Sequence, residues 1–135
     1  MSYAHAANAY RRTQATAGTP LELVVMLYDG ALRFVSDAQE AMTRRDIKAR
    51  HLALDKTLAI VGHLQSTLDT ERGGAVAFEL DRLYSYISGR LLEGAARNDP
   101  KALIEVVGLL SNLRDAWHTI ATTPQPGAVL ADARP

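Results

Sequence analysis

Residues 19–42 read TPLELVVMLYDGALRFVSDAQEAM and carry the clearest helical pattern of the chain. Thr19 is placed to cap a helix, Pro20 to occupy its first position and Glu22 to close a capping box. Apolar residues then recur at alternating spacings of three and four, as on the inward face of a bundle helix. These inward positions are Leu21, Val24, Tyr28, Ala31, Val35, Ala38 and Met42. The stretch therefore predicts a long amphipathic helix.

Three further segments repeat this periodicity. We expect Asp46 to cap a second helix that stops near the Gly73–Gly74 pair, where the two glycines form the turn. A third helix is expected over residues 75–97, and Asp99 and Pro100 begin a fourth that ends at TTPQPG. Inward positions are predicted at Ile47, Leu54, Thr57, Leu58, Val61, Leu64 and Leu68, at Val76, Leu80, Leu83, Tyr84, Ile87 and Leu91, and at Leu103, Val106, Leu110, Leu113, Trp117 and Ile120.

Four helices of similar length joined by short connections predict an all-α fold. Short connections force neighbouring helices to run antiparallel, which gives an up-down-up-down four-helix bundle. We assign residues 19–121 to this bundle, residues 1–18 to an N-terminal lid, helical or extended, and residues 122–135 to a disordered tail.

The composition excludes several classes of function. Fifteen Lys and Arg balance fifteen Asp and Glu, so no overall positive field attracts nucleic acid. Cysteine is absent, so the chain has neither disulfides nor a thiolate zinc site. The start MSYAHAANAYRRTQ is unlike a signal peptide, and no run is long enough to span a bilayer. We expect a soluble cytosolic protein that does not insert into membranes.

Catalytic motifs are missing from the sequence. His5, His51, His63 and His118 lack the spacing of a metal-binding helix, and no glycine-rich phosphate loop or nucleophile elbow occurs. A histidine phosphotransfer domain is an alternative, with His51 or His63 as acceptor, although neither has the neighbours that such domains place around the histidine. We expect no enzyme, no metal and no cofactor.

The first helix carries more apolar surface than one inward face requires. At about 100° per residue, Leu23, Leu27, Phe34 and Ala41 form a second stripe beside the inward face, with Gly30 inside it. Both faces together cover more than half of the helix circumference, which predicts a further contact. Gly30 is then either a notch that a partner segment approaches or an adaptation to tight packing inside the bundle.

Two other groups of residues have expected roles. Tyr3 and Tyr10 share one face of the N-terminal segment and can fold back over the second stripe as a removable lid, the alternative being a frayed terminus. Tyr28 and Tyr84 lie on or near the inward face, where their hydroxyl groups need partners. We interpret these two tyrosines and Trp117 as structural.

Four blocks of the sequence resemble the flagellar secretion chaperone family FliS. They are TPLELVVMLYDGALRF, the Gly73–Gly74 turn, LDRLYSYISGRLLEGAARND and LLSNLRDAWHTI, and the resemblance covers roughly Tyr3 to Ile120. The M-L-Y-D-G, L-Y-x-Y-I and L-R-x-A-W groups are not required by four-helix packing. Ser85 departs from the family, which often has Asp at this position.

The resemblance implies a cytoplasmic type III export chaperone. Such a protein binds the unfolded C-terminal segment of flagellin and prevents its premature polymerisation, and the client wraps around the bundle. The flagellar export apparatus and a regulatory protein are further implied partners. We expect client contacts at Tyr3, Tyr10, Leu23, Leu27, Gly30 and Phe34. A homodimeric adaptor that buries the second stripe against another copy remains an alternative.

Overall fold

A computed structural model describes residues 20–122, which form four α-helices and no strand. The helices are α1 (Pro20–Arg44), α2 (Ile47–Ser66), α3 (Thr70–Arg97) and α4 (Pro100–Thr122). Each helix packs on two neighbours, in the closed order α1, α2, α3, α4 and back to α1. The predicted all-α bundle is confirmed. Thr19, the lid over residues 1–18 and the tail beyond Thr122 lie outside the described residues.

Helices α1 and α4 contact each other, which completes the ring. The residues in contact show in which relative direction the two helices run. Arg114, late in α4, donates from Nε to Asp29 Oδ1 at 2.8 Å, early in α1. Met42, near the end of α1, instead lines a groove with Ile104, near the start of α4. The two helices therefore run antiparallel, as the short connections predict.

Helix starts follow the predicted capping residues at two positions. The Asp46 carboxylate accepts a hydrogen bond from the backbone N–H of Ala49 at 3.0 Å. The Asp99 carboxylate accepts one from the backbone N–H of Lys101 at 3.0 Å. These bonds satisfy N–H groups that have no partner inside the helix, so both predicted caps are confirmed.

The connection between α2 and α3 differs from the prediction. Helix α2 already ends at Ser66, and the Asp69 side chain accepts from the backbone N–H of Arg72 at 3.2 Å, which starts a new helical turn. The range of α3 therefore includes Gly73 and Gly74, but its backbone leaves helical geometry at Gly74, so the predicted break at the glycine pair is present one turn after the helix begins. Gly74 kinks the helix with φ of 52° and ψ of −129°, a conformation open to glycine almost alone.

The core lies along the bundle axis and contains most of the predicted inward residues. Its fully buried large side chains are Tyr28, Leu23, Ile87, Leu91, Leu103, Leu110, Val35, Val61, Val106 and Thr57. The prediction is wrong for Ile47, Val76 and Ile120, which are 61%, 67% and 41% exposed. Each of the three lies near a helix end or a kink, where the neighbouring helices no longer cover it.

Two tyrosines join the diagonal helices through the core. The hydroxyl groups of Tyr28 in α1 and Tyr84 in α3 are hydrogen-bonded at 2.5 Å. Burial raises the pKa of both hydroxyls, and a hydrogen-bonding contribution from Trp117 opposes this rise at Tyr28. The expectation that the two hydroxyls need partners is met by their pairing.

Candidate protein-binding surface

The second stripe of α1 is the face of this helix that packs against α2. Leu23 and Ala41 are each 1% exposed and belong to the core, whereas Leu27 and Phe34 keep part of their surface in solvent. The expectation that the whole stripe awaits an outside partner therefore fails for Leu23. Because α1 packs on both α2 and α4, it needs a wider apolar arc than a helix with one neighbour.

Gly30 lies under a side chain of α2. A Cβ added there would stand 3.5 Å from Cδ1 of Ile60, an ordinary van der Waals separation. The segment next to Gly30 is therefore α2, but the separation leaves room for a Cβ, so packing inside the bundle does not require glycine here and the notch stays a prediction.

The exposed edge of the stripe is bordered by cations. Lys56 Nζ lies 5.3 Å from the centroid of the Phe34 ring, and the Arg33 guanidinium carbon lies 6.0 Å from it. A cation over an aromatic face is attracted to the ring quadrupole. Phe34 is thus held on the surface between α1 and α2, where it and Leu27 remain accessible. Tyr3 and Tyr10 lie outside the described residues.

An apolar groove lies on α3, where the sequence predicted no binding residue. Val76, Leu80, Leu83 and Tyr86 follow one another at spacings of three and four along the groove. Its other lining residues are Ala75, Glu79 and Arg82, and its volume is about 670 Å³. Val76 is 67% and Tyr86 48% exposed, so apolar side chains of this surface remain in contact with solvent. We call this surface the α3 groove.

Polar contacts fix one end of the α3 groove. Tyr86 donates its hydroxyl hydrogen to Glu105 Oε2 at 2.7 Å, and Arg90 donates from Nε to Glu105 Oε1 at 2.6 Å. Both bonds favour the ionised carboxylate and lower the pKa of Glu105, while the same contact raises the pKa of Tyr86. The Tyr86 ring is therefore anchored through α4.

The residues of the α3 groove were predicted as inward, which holds for Leu80 and Leu83, since both pack partly buried against the core, but not for Val76. Val76, Leu80 and Leu83 have the three-and-four spacing of an inward face, and periodicity alone does not distinguish a face covered by a neighbour from one left open. Whether this face is covered depends on the kink at Gly74 and on where α4 ends, and both are known only from the folded chain.

The described histidines give no sign of a reactive site. His51, His63 and His118 are exposed, and residues 20–122 contain no group of three or more metal-ligating side chains. Within the same range, no helix is long and apolar enough to cross a lipid bilayer. The chemistry that the described surface offers is apolar contact with another polypeptide.

The sequence blocks that stand out from simple bundle periodicity meet in the structure. Tyr28 and Asp29 come from the first block, Tyr84 from the third, and Arg114 and Trp117 from the fourth. The tyrosines bond to each other, and Arg114 pairs with Asp29 at 2.8 Å. These contacts fix the register of three helices, which explains why the blocks carry residues that packing alone does not demand.

A four-helix bundle with an open apolar groove is suited to binding another polypeptide. The sequence profile of the family described as "Flagellar protein FliS" matches residues 3–124. The chain accordingly belongs to the FliS family, whose members are flagellar secretion chaperones and not enzymes.

Three relatives show the extent of this similarity. The chain is 40% identical over 106 residues to the flagellar secretion chaperone FliS of Salmonella typhimurium, covering 78% of each chain. It is 37% identical over 108 residues to FliSB of Pseudomonas aeruginosa, covering 80% of this chain and 86% of the relative. Identity to the Bacillus subtilis chaperone FliS is 33% over 109 residues, covering 81% and 80%.

Proposed function

We propose that the chain is a cytosolic type III export chaperone for flagellin. It binds the disordered C-terminal region of flagellin, prevents premature polymerisation and supports delivery to the flagellar export apparatus. The family membership supports the class of function. The observation that carries the proposal for this chain is the open α3 groove, with Val76 and Tyr86 largely exposed beside partly buried leucines.

Recognition follows from the shape of the groove. Apolar side chains of the client, spaced as on one face of a helix, pack along Val76, Leu80 and Leu83. Each well-buried large side chain contributes about 1.5–3 kcal/mol, and this gain is offset by the cost of ordering a disordered client. A single short contact gives weak binding, so the client has to continue over further surface.

The exposed edge of α1 is the proposed second contact. Leu27 and Phe34 offer partly exposed apolar surface, with Lys56 beside the Phe34 ring. Leu23 and Gly30, also expected at this site, contribute less directly, because Leu23 is buried and Gly30 lies next to Ile60 of α2. A client that reaches both the α3 groove and this edge wraps around the bundle.

The N-terminal segment is proposed to shield the client surface when no client is bound. Tyr3 and Tyr10 would provide the apolar face of this lid. The segment joins α1 at Pro20, at the same end of the bundle as the start of α3, so a short connection suffices to reach the α3 groove. A regulatory protein that competes for the client surface is a further proposed partner.

A polymerisation assay tests the proposed function. Seeded monomeric flagellin is mixed with an equimolar amount of the chain, and filaments are pelleted; we expect most flagellin to stay in the supernatant in a one-to-one complex. An unrelated four-helix bundle of similar mass is the control. Filaments forming at the control rate, together with sedimentation of the 14.7 kDa chain as a dimer, would favour the homodimeric adaptor instead.

A further inference from the structure

The end of the bundle that holds the α1–α2 and α3–α4 connections is strongly basic. Residues 41–51 and 94–104 contain six Lys and Arg against two carboxylates, and the flanking Glu40, Glu93 and Glu105 are paired with Arg44 or Arg90. Both carboxylates, Asp46 and Asp99, already accept bonds from backbone N–H groups at helix starts. The excess positive charge is local, because the whole chain has a formal net charge of zero.

Four of these cations have no anionic partner within the chain. Arg45, Lys48, Arg97 and Lys101 are exposed and form no ion pair with any residue in the range 20–122. Arg44 differs, because its Nη1 lies 3.2 Å from Glu40 Oε1. Arg45 lies in the α1–α2 connection, Arg97 is the last residue of α3, and Lys48 and Lys101 lie in the first turns of α2 and α4, so all four are at this end of the bundle.

A small groove opens at this end. It has a volume of about 230 Å³ and is lined by Gln39, Met42, Thr43, Asn98, Pro100 and Ile104. Ile104 is 62% exposed. The volume lies below the roughly 300–1,000 Å³ of small-molecule sites, so the groove suits a single apolar side chain better than a whole ligand. We call this groove and its surrounding cations the basic end.

Arg50 is hydrogen-bonded to Asn98, one of the residues that line the groove. It donates from Nη1 to Asn98 Oδ1 at 2.5 Å, which orients that amide at the groove. Its Nε is buried and has no hydrogen-bond partner among the described residues. Buried donors in native proteins are nearly always paired, so Arg50 is a fixed cation with unused hydrogen-bonding capacity.

We propose that the basic end docks a short acidic segment of a second partner protein. One large apolar side chain of that segment occupies the groove beside Met42 and Ile104, and its Asp or Glu carboxylates lie against Arg97, Lys101 and Arg45. Opposite charges across such a surface steer association and fix the register. The groove presents Met42, Pro100 and Ile104 beside the polar side chains of Gln39, Thr43 and Asn98, a lining that suits one apolar side chain flanked by the polar backbone of a polypeptide.

The basic end is separate from the proposed client surface. The α3 groove begins at Ala75, near the N-terminal end of α3, whereas Asn98 follows the last residue of α3. The chain can therefore hold a client at one end and a second protein at the other. The inference does not depend on the identity of the client.

Chemical-shift mapping on the full ¹⁵N-labelled chain tests the proposal. The probe is a short synthetic helical peptide of Glu and Leu; its controls are a Lys and Leu peptide, a Glu and Ser peptide, and a short DNA duplex. We expect the Glu and Leu peptide alone to shift the amide signals of Asn98, Lys101 and Ile104, with binding that weakens as salt screens the charges. Equal shifts from the Lys and Leu peptide or from DNA would overturn the proposal.

Two charge-reversed double variants test whether the peptide binds at the basic end. Arg97→Glu combined with Lys101→Glu should weaken peptide binding by about tenfold or more, because repulsion replaces attraction. Arg72→Glu combined with Arg82→Glu, two exposed arginines in the first half of α3, should leave it unchanged. The proposal fails if both pairs have the same effect, or if a bound flagellin segment displaces the peptide, which would make the basic end part of the client surface.

Discussion

Tyr28 and Tyr84 are the residues whose chemistry most directly stabilises the bundle. Tyr28→Phe should destabilise the chain by about 1–3 kcal/mol, because it leaves the Tyr84 hydroxyl buried without its partner. The double change to Phe should cost less than the sum of the two single changes, since no unpaired hydroxyl then remains. Urea unfolding of the four proteins measures this coupling, and strictly additive losses would contradict the paired arrangement.

The same pair predicts a loss of stability in alkaline solution. Burial raises the pKa of both hydroxyls above the ordinary value of 10.0, which the unfolded chain retains. The unfolded state therefore releases these protons first, so their contribution is complete below pH 10 and declines as the pH rises above it. Thermal melts from pH 8 upward should show a smaller decline in the double Phe variant. An equal decline would exclude the tyrosines as its source.

The helical glycines Gly30 and Gly94 should respond oppositely to alanine. A Cβ at Gly30 would stand 3.5 Å from Ile60, whereas at Gly94 it would stand 3.3 Å from both Ala102 and Leu103. Gly30→Ala should stabilise the chain by up to about 1 kcal/mol, through the helix propensity of alanine. Gly94→Ala should lower its melting temperature. A destabilising Gly30→Ala would contradict the placement of Gly30 against α2.

At the scale of the helices, local signals predicted two helix starts but not which apolar surfaces stay exposed. Asp46 and Asp99 were predictable as caps because a capping bond depends only on residues a few positions away. The exposure of Val76 was not predictable, since it depends on where neighbouring helices end. The break at the Gly73–Gly74 pair was predicted and is present at Gly74, whereas the helical turn that Asp69 starts before it was not predicted.

The kink in α3 depends on the backbone freedom of one glycine. Gly74 has φ of 52° and ψ of −129°, so Gly74→Ala should destabilise the chain by about 1–3 kcal/mol or straighten the start of α3. Gly108→Ala is the matched control, because a Cβ there meets nothing within 4 Å. Denaturant midpoints of the two variants measure the difference. Equal or higher stability of Gly74→Ala would show that the kink is not required.

At the scale of the whole molecule, the fold followed from four periodic segments and short connections. The binding surface could not be predicted from periodicity and connection length. Each helix has two neighbours, and only the assembled ring shows which apolar residues remain exposed. Leu23 was expected on the surface and is buried, whereas Val76 was expected in the core and is open. The resulting bundle has an apolar groove near the start of α3 and a basic end beyond its last residue.

The central claim is that the α3 groove binds the C-terminal segment of flagellin. Calorimetric titration of that segment from the host flagellin into the wild-type chain, Val76→Asp and Leu52→Asp tests it most directly. The two substituted residues are 67% and 56% exposed, so neither change should unfold the bundle, but only Val76 lines the groove. We predict binding to the wild-type chain and to Leu52→Asp, and at least about tenfold weaker binding to Val76→Asp, a difference of about 1.4 kcal/mol. Equal affinities for all three proteins, or no binding to the wild-type chain, would contradict the claim.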